Sequence, residues 1–239
     1  MPRPVPGQFV MVESAGGGLP FWRRAFSVAG FGAGEESCWL DLMIREVGPG
    51  TAFWRGVPEG TGTRVLGPLG NGFPLEEPPR SVALVAGGIG LPPLLYAARE
   101  LAGAGTRCDL FVGAATAEEL IDPEGCARVA ADTGGVLVPC TDDGTAGEAG
   151  LVTGAVERRL RDGAAWSELW ACGPNPMLRA VAELGRAYGL PALLAMEERM
   201  ACGLGVCLGC VVPTPDGGHL RVCTEGPVLR GDAVDWEAL

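Results

Sequence analysis

Lysine is absent from this sequence, so all 18 of its basic residues are arginine. A Walker-type phosphate loop needs a lysine to reach the phosphates, and a Schiff-base enzyme needs one as its nucleophile. Both chemistries are excluded. Histidine is almost absent, with His219 the only one. A Rieske centre needs two histidine ligands and is excluded with it. A Ser–His–Asp hydrolase would have to use that single histidine, and no G-x-S-x-G accompanies it. Basic charge is outnumbered by 29 acidic residues, for a net charge of −11. That balance disfavours a nucleic-acid partner, which normally meets a basic surface. Acidity alone otherwise points to little more than solubility.

Targeting signals are also lacking. The opening residues MPRPVPGQFVMV show no charged, then apolar, then small pattern of a secretory leader. The stretch Val82–Ala98 carries no charge, but Gly87, Gly88, Gly90, Pro92 and Pro93 interrupt it. It reads as strand, turn and helix rather than as a membrane span. A disulfide framework is not expected either, because nine cysteines are an odd number and the chain is not a short secreted one. The expected location is cytoplasmic, with no membrane association.

What is present suits a globular chain. At 47% hydrophobic and 20% charged, it can bury a core. Its 39 glycines and 20 prolines follow no fixed period and imply many tight turns. Residues 1–78 read as β-rich, with strands at Gln8–Val12, Ala25–Ala29 and Trp39–Ile44 divided by glycine clusters at Gly16–Gly18 and Gly30–Gly34. Gly60–Gly72 reads as turns. Short strands without a helical period suggest a small β-barrel. Leu75–Arg80 reads as a linker.

Residues 79–192 change character. Ser81–Ala86 is an apolar strand candidate ending at Gly87-Gly88-Ile89-Gly90, with a helix from near Pro92 that stops at Gly103. Strands at Cys108–Val112, Gly135–Pro139 and Glu168–Ala171 alternate with helices at Ala127–Ala131, Gly154–Arg161 and Asn175–Tyr188. That alternation predicts α/β architecture, a doubly wound parallel sheet. Residues 193–239 form a small third region rich in cysteine and glycine, with an acidic end.

Five cysteines (Cys38, Cys108, Cys126, Cys140, Cys172) are scattered, while four are bunched as Cys202-x4-Cys207-x2-Cys210-x12-Cys223. Four thiolates at the C-x4-C-x2-C spacing with a distant fourth are the ligand set of a plant-type [2Fe–2S] centre. A four-cysteine zinc site is the rival, although such sites usually pair their ligands as two C-x2–4-C units. Buried structural cysteines are the third reading, and a glycine-rich loop makes a poor core.

Several loops suit a nucleotide or flavin. Arg24-Ala25-Phe26-Ser27 offers a cation for a pyrophosphate, an aromatic face and a hydroxyl. Gly48-Pro49-Gly50-Thr51 and Gly67-Pro68-Leu69-Gly70-Asn71-Gly72-Phe73 are glycine turns that let a phosphate approach. Taken alone, each reads first as an ordinary strand or turn, and their order ahead of a nucleotide-type region and a cysteine cluster is what raises them. Gly87, Gly88 and Gly90 follow an apolar strand and precede a helix, the context in which backbone meets phosphate. Thr141-Asp142-Asp143-Gly144-Thr145 and Cys172-Gly173-Pro174 also follow strand candidates. In an open α/β sheet, ligands bind beyond such strand ends. Cys172 could face a nicotinamide there, or be a small buried hydrophobe. Glu118 and Glu119, beyond the second α/β strand, lean the reading towards NAD over NADP, since a carboxylate repels a 2′-phosphate.

The tail Met196-Glu197-Glu198-Arg199-Met200-Ala201-Cys202-Gly203-Leu204-Gly205-Val206-Cys207-Leu208-Gly209-Cys210, closing with Val222-Cys223-Thr224-Glu225-Gly226-Pro227-Val228, resembles the electron-transfer subunits of B-class dihydroorotate dehydrogenases. So do GPLGNGF at 67–73, GGIGLPPLL at 87–95, TDDGT at 141–145 and CGPNPM at 172–177. The family is similar to ferredoxin reductases, and the resemblance implies an N-terminal FAD-binding β-barrel, an NAD-binding domain and a C-terminal [2Fe–2S] domain. It implies FAD contacts from Arg24, Ala25, Phe26, Ser27, Met43, Ile44, Arg45, Gly50 and Thr51, and cluster ligation by Cys202, Cys207, Cys210 and Cys223. It also implies a catalytic partner subunit that holds FMN and oxidises dihydroorotate, with two copies of each subunit in a heterotetramer.

Two departures stand out. Ala25 replaces the family's usual proline. The family also has about one strand pair ahead of Gly7-Gln8-Phe9, so a truncated barrel with an exposed edge is expected here, from a start codon assigned too late or a shortened chain. The small subunit of an NADH-dependent ferredoxin–NADP oxidoreductase is similar throughout, but that family often carries aspartate where Cys202 stands. A zinc-stabilised nucleotide-binding regulatory module is the alternative from a different class.

Overall fold

A computed structural model describes residues 1–14 and 22–239. The glycine cluster Gly16–Gly18, expected to divide two strands, lies outside the described residues. The N-terminal region is made of short strands: β1 (Phe9–Val12), β2 (Arg24–Ser27), β3 (Gly30–Ala33), β4 (Cys38–Asp41), then helix α1 (Pro49–Arg55) and strand β5 (Val65–Leu69). β1 is apolar and buried at every position because it is the central strand of β2-β1-β5. Its antiparallel pairing with β2 sets Phe9 opposite Ser27 and Val12 opposite Arg24. Among the described residues, the expected barrel therefore consists of a three-stranded antiparallel sheet and the β3–β4 hairpin.

Four local expectations are corrected here. Gly60–Gly72, read as turns, contains β5, which pairs antiparallel with β1. Gly30–Gly34, read as a divider, contains β3. The indole of Trp39 lies across Gly32, where an added Cβ would sit 1.9 Å from the ring, so this hairpin needs glycine inside a strand. The strand expected over Trp39–Ile44 stops at Asp41. Gly48–Thr51, read as a turn, opens α1 with Pro49 in its first turn, where a missing N–H costs nothing.

The remainder follows the predicted alternation: β6 (Ser81–Gly87), α2 (Leu91–Ala102), β7 (Arg107–Ala114), α3 (Pro123–Asp132), β8 (Leu137–Thr141), β9 (Glu148–Ala149), α4 (Val152–Arg161), β10 (Glu168–Cys172), α5 (Asn175–Tyr188) and β11 (Ala192–Ala195). The C-terminal stretch adds β12 (Val211–Pro213), β13 (His219–Arg221) and β14 (Val228–Arg230). The large sheet has the order β14-β11-β10-β6-β7-β8-β9. Helices cover both faces. Ala83 and Val85 pack with α4 and α5, while Val82, Leu84 and Ala86 pack with α2 and α3. A strand covered on both faces reads as a continuous apolar run, which is what made β6 legible.

Every pairing in this sheet is parallel except that of β14, which runs antiparallel to β11. The C-terminal region thus returns to supply an edge strand, and the expected boundary at 192/193 falls inside β11.

Specific contacts fix the N-terminal region on this sheet. The Tyr96 hydroxyl donates to the Pro4 carbonyl at 2.8 Å. The ring of Phe73 stacks on Trp170, centroids 4.7 Å apart and nearly parallel at 8°. Asn71 joins the C-terminal stretch, its N–H donating to the Gly226 carbonyl at 2.6 Å. Among the described residues, no helix is long and apolar enough to cross a membrane.

Candidate functional site

A cleft of about 480 Å³ opens where the N-terminal sheet, the large sheet and the C-terminal stretch meet. One wall is Phe9 with Ala25, Phe26 and Ser27 of β2, continued by Met43, Arg45 and Thr51. The turn Gly87–Gly88–Ile89 and Pro174 form the far wall, and Met196, Glu197, Glu198 and Met200 form the side leading to the cysteines. Of the residues expected at a flavin, Ala25, Phe26, Ser27, Met43, Arg45 and Thr51 therefore share one surface. Arg24 lies beside it, its guanidinium against Gly50 and its Nη1 donating to the Trp22 carbonyl at 2.7 Å. Ile44 turns away and packs with Val10, Val12 and Phe26.

A second cleft of about 360 Å³ lies beyond the carboxyl ends of β6, β7, β8 and β10. Gly113, Glu119, Asp142, Thr153 and Met177 line it, and it shares Arg45, Gly87, Gly88 and Pro174 with the first. Glu119, not Glu118, reaches this cleft, and it pairs with Arg45 at 3.2 Å. Gly90, Cys172 and Gly173 line neither cleft. They are the floor under the shared turn: a Cβ on Gly90 would sit 2.1 Å from the Cys172 carbonyl oxygen, so only glycine lets the start of α2 lie against the end of β10. The Cys172 thiol is buried, and burial pushes its pKa well up, with the Glu197 carboxylate adding to the shift.

Glu197 is the residue that sequence reasoning missed. Its side chain still reaches water at the cleft, yet protein crowds it, and that loss of solvation raises its carboxyl above the usual range. The only signal was a charged Glu-Glu pair placed directly after an apolar strand, between the sheet and the first bunched cysteine.

The bunched cysteines lie next to the first cleft, with Gly203 packed against Met11 of β1 and Leu69 of β5. Among the described residues, no three cysteine, histidine or carboxylate side chains gather to hold one metal ion. The thiols instead meet in two pairs, Cys202 with Cys207 and Cys210 with Cys223. A [2Fe–2S] cluster takes two thiolates on each iron, and Cys202 beside Cys207 with Cys223 beside Cys210 fits that donor set. Backbone donors also converge on the sulfurs. The Leu204 N–H lies 3.3 Å from Cys202 Sγ and the Gly205 N–H 3.1 Å from Cys223 Sγ. Such donors favour thiolate: the Leu204 and Cys207 amides bring Cys202 down to about 6. Cys223 is pushed up to about 11 by burial and by its Cys210 neighbour.

Residues 197–235 match the family model of the iron-sulfur cluster binding domain of dihydroorotate dehydrogenase B, and residues 84–183 match the oxidoreductase NAD-binding domain. Over 233 residues, 96% of this chain and 86% of the relative, the sequence is 40% identical to the electron transfer subunit of dihydroorotate dehydrogenase B (NAD(+)) of Bacillus caldolyticus. The subunit of the same name from Desulforamulus reducens is 33% identical, covering 98% of this chain and 87% of that one. Among solved structures, an NADH-dependent reduced ferredoxin-NADP oxidoreductase superimposes with a TM-score of 0.83 at 30% identity, over 98% of this chain and 81% of that one. An Amycolatopsis cytochrome P450 reductase gives a TM-score of 0.62 at 29% identity, over 77% and 57% respectively.

Proposed function

This chain belongs to the family of dihydroorotate dehydrogenase B electron-transfer subunits, and from that premise we propose that it carries electrons from the FMN of a catalytic partner subunit, through a [2Fe–2S] cluster and FAD, to NAD⁺. The observation that carries the reading is contiguity. The paired thiols adjoin the first cleft, and the first cleft shares the Gly87–Gly88 turn with the second. A flavin accepts electrons singly from a cluster and passes a pair to nicotinamide as hydride, so it belongs between the other two groups.

FAD would be held within residues 1–78 by Arg24, Ala25, Phe26, Ser27, Met43, Ile44, Arg45, Gly50 and Thr51. In this arrangement Phe26 offers an apolar face, Arg24 and Arg45 offer charge to a pyrophosphate, and Ile44 supports the wall from behind. NAD would be held within residues 79–192 at Gly87, Gly88 and Gly90, with Cys172 and Gly173 as the floor. Cys202, Cys207, Cys210 and Cys223 of residues 193–239 would ligate the cluster. The lack of lysine and the single histidine fit a subunit whose chemistry is electron and hydride transfer.

The partner would dock over the cluster loop. Leu204, Val206 and Leu208 there are 53%, 80% and 59% exposed, an apolar rim around the exposed Cys207. Two of each subunit in a heterotetramer is the assembly we propose.

The test is anaerobic purification together with the FMN subunit, followed by counts of iron, sulfide, zinc and flavin and an assay of orotate-dependent NADH oxidation. About two irons and one FAD per chain, with turnover, are expected. One zinc and no flavin would sink the reading. The structural likeness to ferredoxin-NADP oxidoreductase supports a second reading. It predicts the same iron and flavin, but turnover with ferredoxin and none with orotate.

A further inference from the structure

The ion pair beside the paired thiols has no role in the path above. Arg221 ends β13, opposite Val211, and Val222 N–H donates to the Cys210 carbonyl at 2.9 Å. This places the arginine next to the Cys210–Cys223 pair. Glu225 grips one edge of its guanidinium, with Nη2 donating to Oε1 at 2.7 Å and Nε donating to Oε2 at 3.0 Å. The backbone N–H of Arg221 donates to the same carboxylate at 2.5 Å. The opposite corner, Nη1, faces the cysteine loop, where a Cβ on Gly205 would meet it at 3.5 Å. The N–H of Gly205 itself donates to Cys223 Sγ. The cation therefore stands between the carboxylate and the sulfurs.

On the cluster reading given above, we infer that the Arg221–Glu225 pair sets the redox potential of the iron–sulfur centre, with Arg221 raising it and Glu225 restraining that effect. Reduction adds one negative charge to a cluster, and a nearby cation stabilises the reduced form. Neither member touches the electron path, so both are positioning residues. Cys210, Val222 and Cys223 are buried, whereas the Arg221 and Glu225 side chains are 42% and 36% exposed, so water screens part of the pair's effect on the thiols and the expected shifts are modest. Because the charges oppose each other, removing either one exposes the other, and the two losses must move the potential in opposite directions.

The experiment uses the complex with its FMN partner, with iron counted first and the cluster potential then followed by EPR in a redox titration. The flavin potentials serve as an internal reference. Arg221→Gln is expected to lower the cluster potential and Glu225→Gln to raise it, while Arg221→Lys, which keeps the charge, stays near the unaltered protein. A merely structural role would instead move both neutral variants the same way, or lower iron content alike in both. Potentials that do not move, or that move in one direction, overturn the inference. If Arg221→Gln fails to load iron, Glu225→Gln decides: a rise supports the inference and no rise overturns it. An unaltered complex without iron overturns the cluster reading and this inference with it, and the initial metal count separates that failure from the others.

Discussion

At the scale of single residues, the surroundings set the charge of a few side chains beside the clefts. Glu197 is the clearest. Its folded pKa is raised by burial, so the unfolded state binds fewer protons than the folded one above the ordinary carboxyl pKa of about 4.3. Its contribution to stability therefore falls as pH rises through that window, and the penalty is complete above the raised value. Glu197→Gln should remove the penalty, so the variant gains thermal stability over the unaltered protein at pH 8 but not at pH 4. Parallel melting curves at the two pH values would refute this. Gly90 makes a different kind of demand. Gly90→Ala should cost about 1–3 kcal/mol in urea unfolding, because its Cβ would strike the Cys172 carbonyl backbone, which has no rotamer to yield. A stability equal to that of the unaltered protein would mean the turn relaxes freely.

At the scale of elements, the joints between regions matter more than the elements themselves. Phe73 lies just past β5 and stacks on Trp170 of β10, both fully buried. The stack ties the N-terminal strands to the sheet that carries the second cleft. Phe73→Ala should destabilise the protein by about 3–5 kcal/mol, read from chemical denaturation. Because this joint fixes the N-terminal strands on the large sheet, FAD retention during purification should fall as well. The GPLGNGF segment read as a glycine-rich loop, yet its Gly67–Leu69 belongs to β5, and nothing in its spacing said that its phenylalanine would reach β10. The α/β elements were easier to read. β6, α2 and α5 have strong patterns, with apolar runs, prolines at helix starts and the left-handed Gly189 ending α5. The N-terminal strands are each only a few residues long, and β3 contains glycine, so cross-strand packing rather than local preference decided them.

At the scale of the whole molecule, the cysteine loop and the two clefts adjoin one another, and the cysteine loop faces outward. Leu204, Val206 and Leu208 expose apolar surface on a chain that is otherwise rich in acidic charge. Val206→Glu should weaken binding to the proposed FMN partner at least tenfold, since it would set a charge in the centre of the proposed docking rim. Iron and flavin content should stay unchanged, because Val206 is 80% exposed and packs little of the fold. Unaltered affinity in a pull-down or titration would move the interface elsewhere.

The sequence by itself determined the chemistry. Four cysteines at C-x4-C-x2-C…C spacing, glycine turns after apolar strands, the absence of lysine and a single histidine left few reactions open, because ligand type and spacing are local properties of the chain. Only the tertiary structure decided how the parts connect. It paired the thiols two by two, brought Arg45 and the Gly87–Gly88 turn into both clefts, placed Glu197 beside Cys172, set Arg221 against the cluster loop and sent β14 back to the sheet. These contacts join residues far apart in the chain, and their energies come from burial and packing that no window of sequence contains.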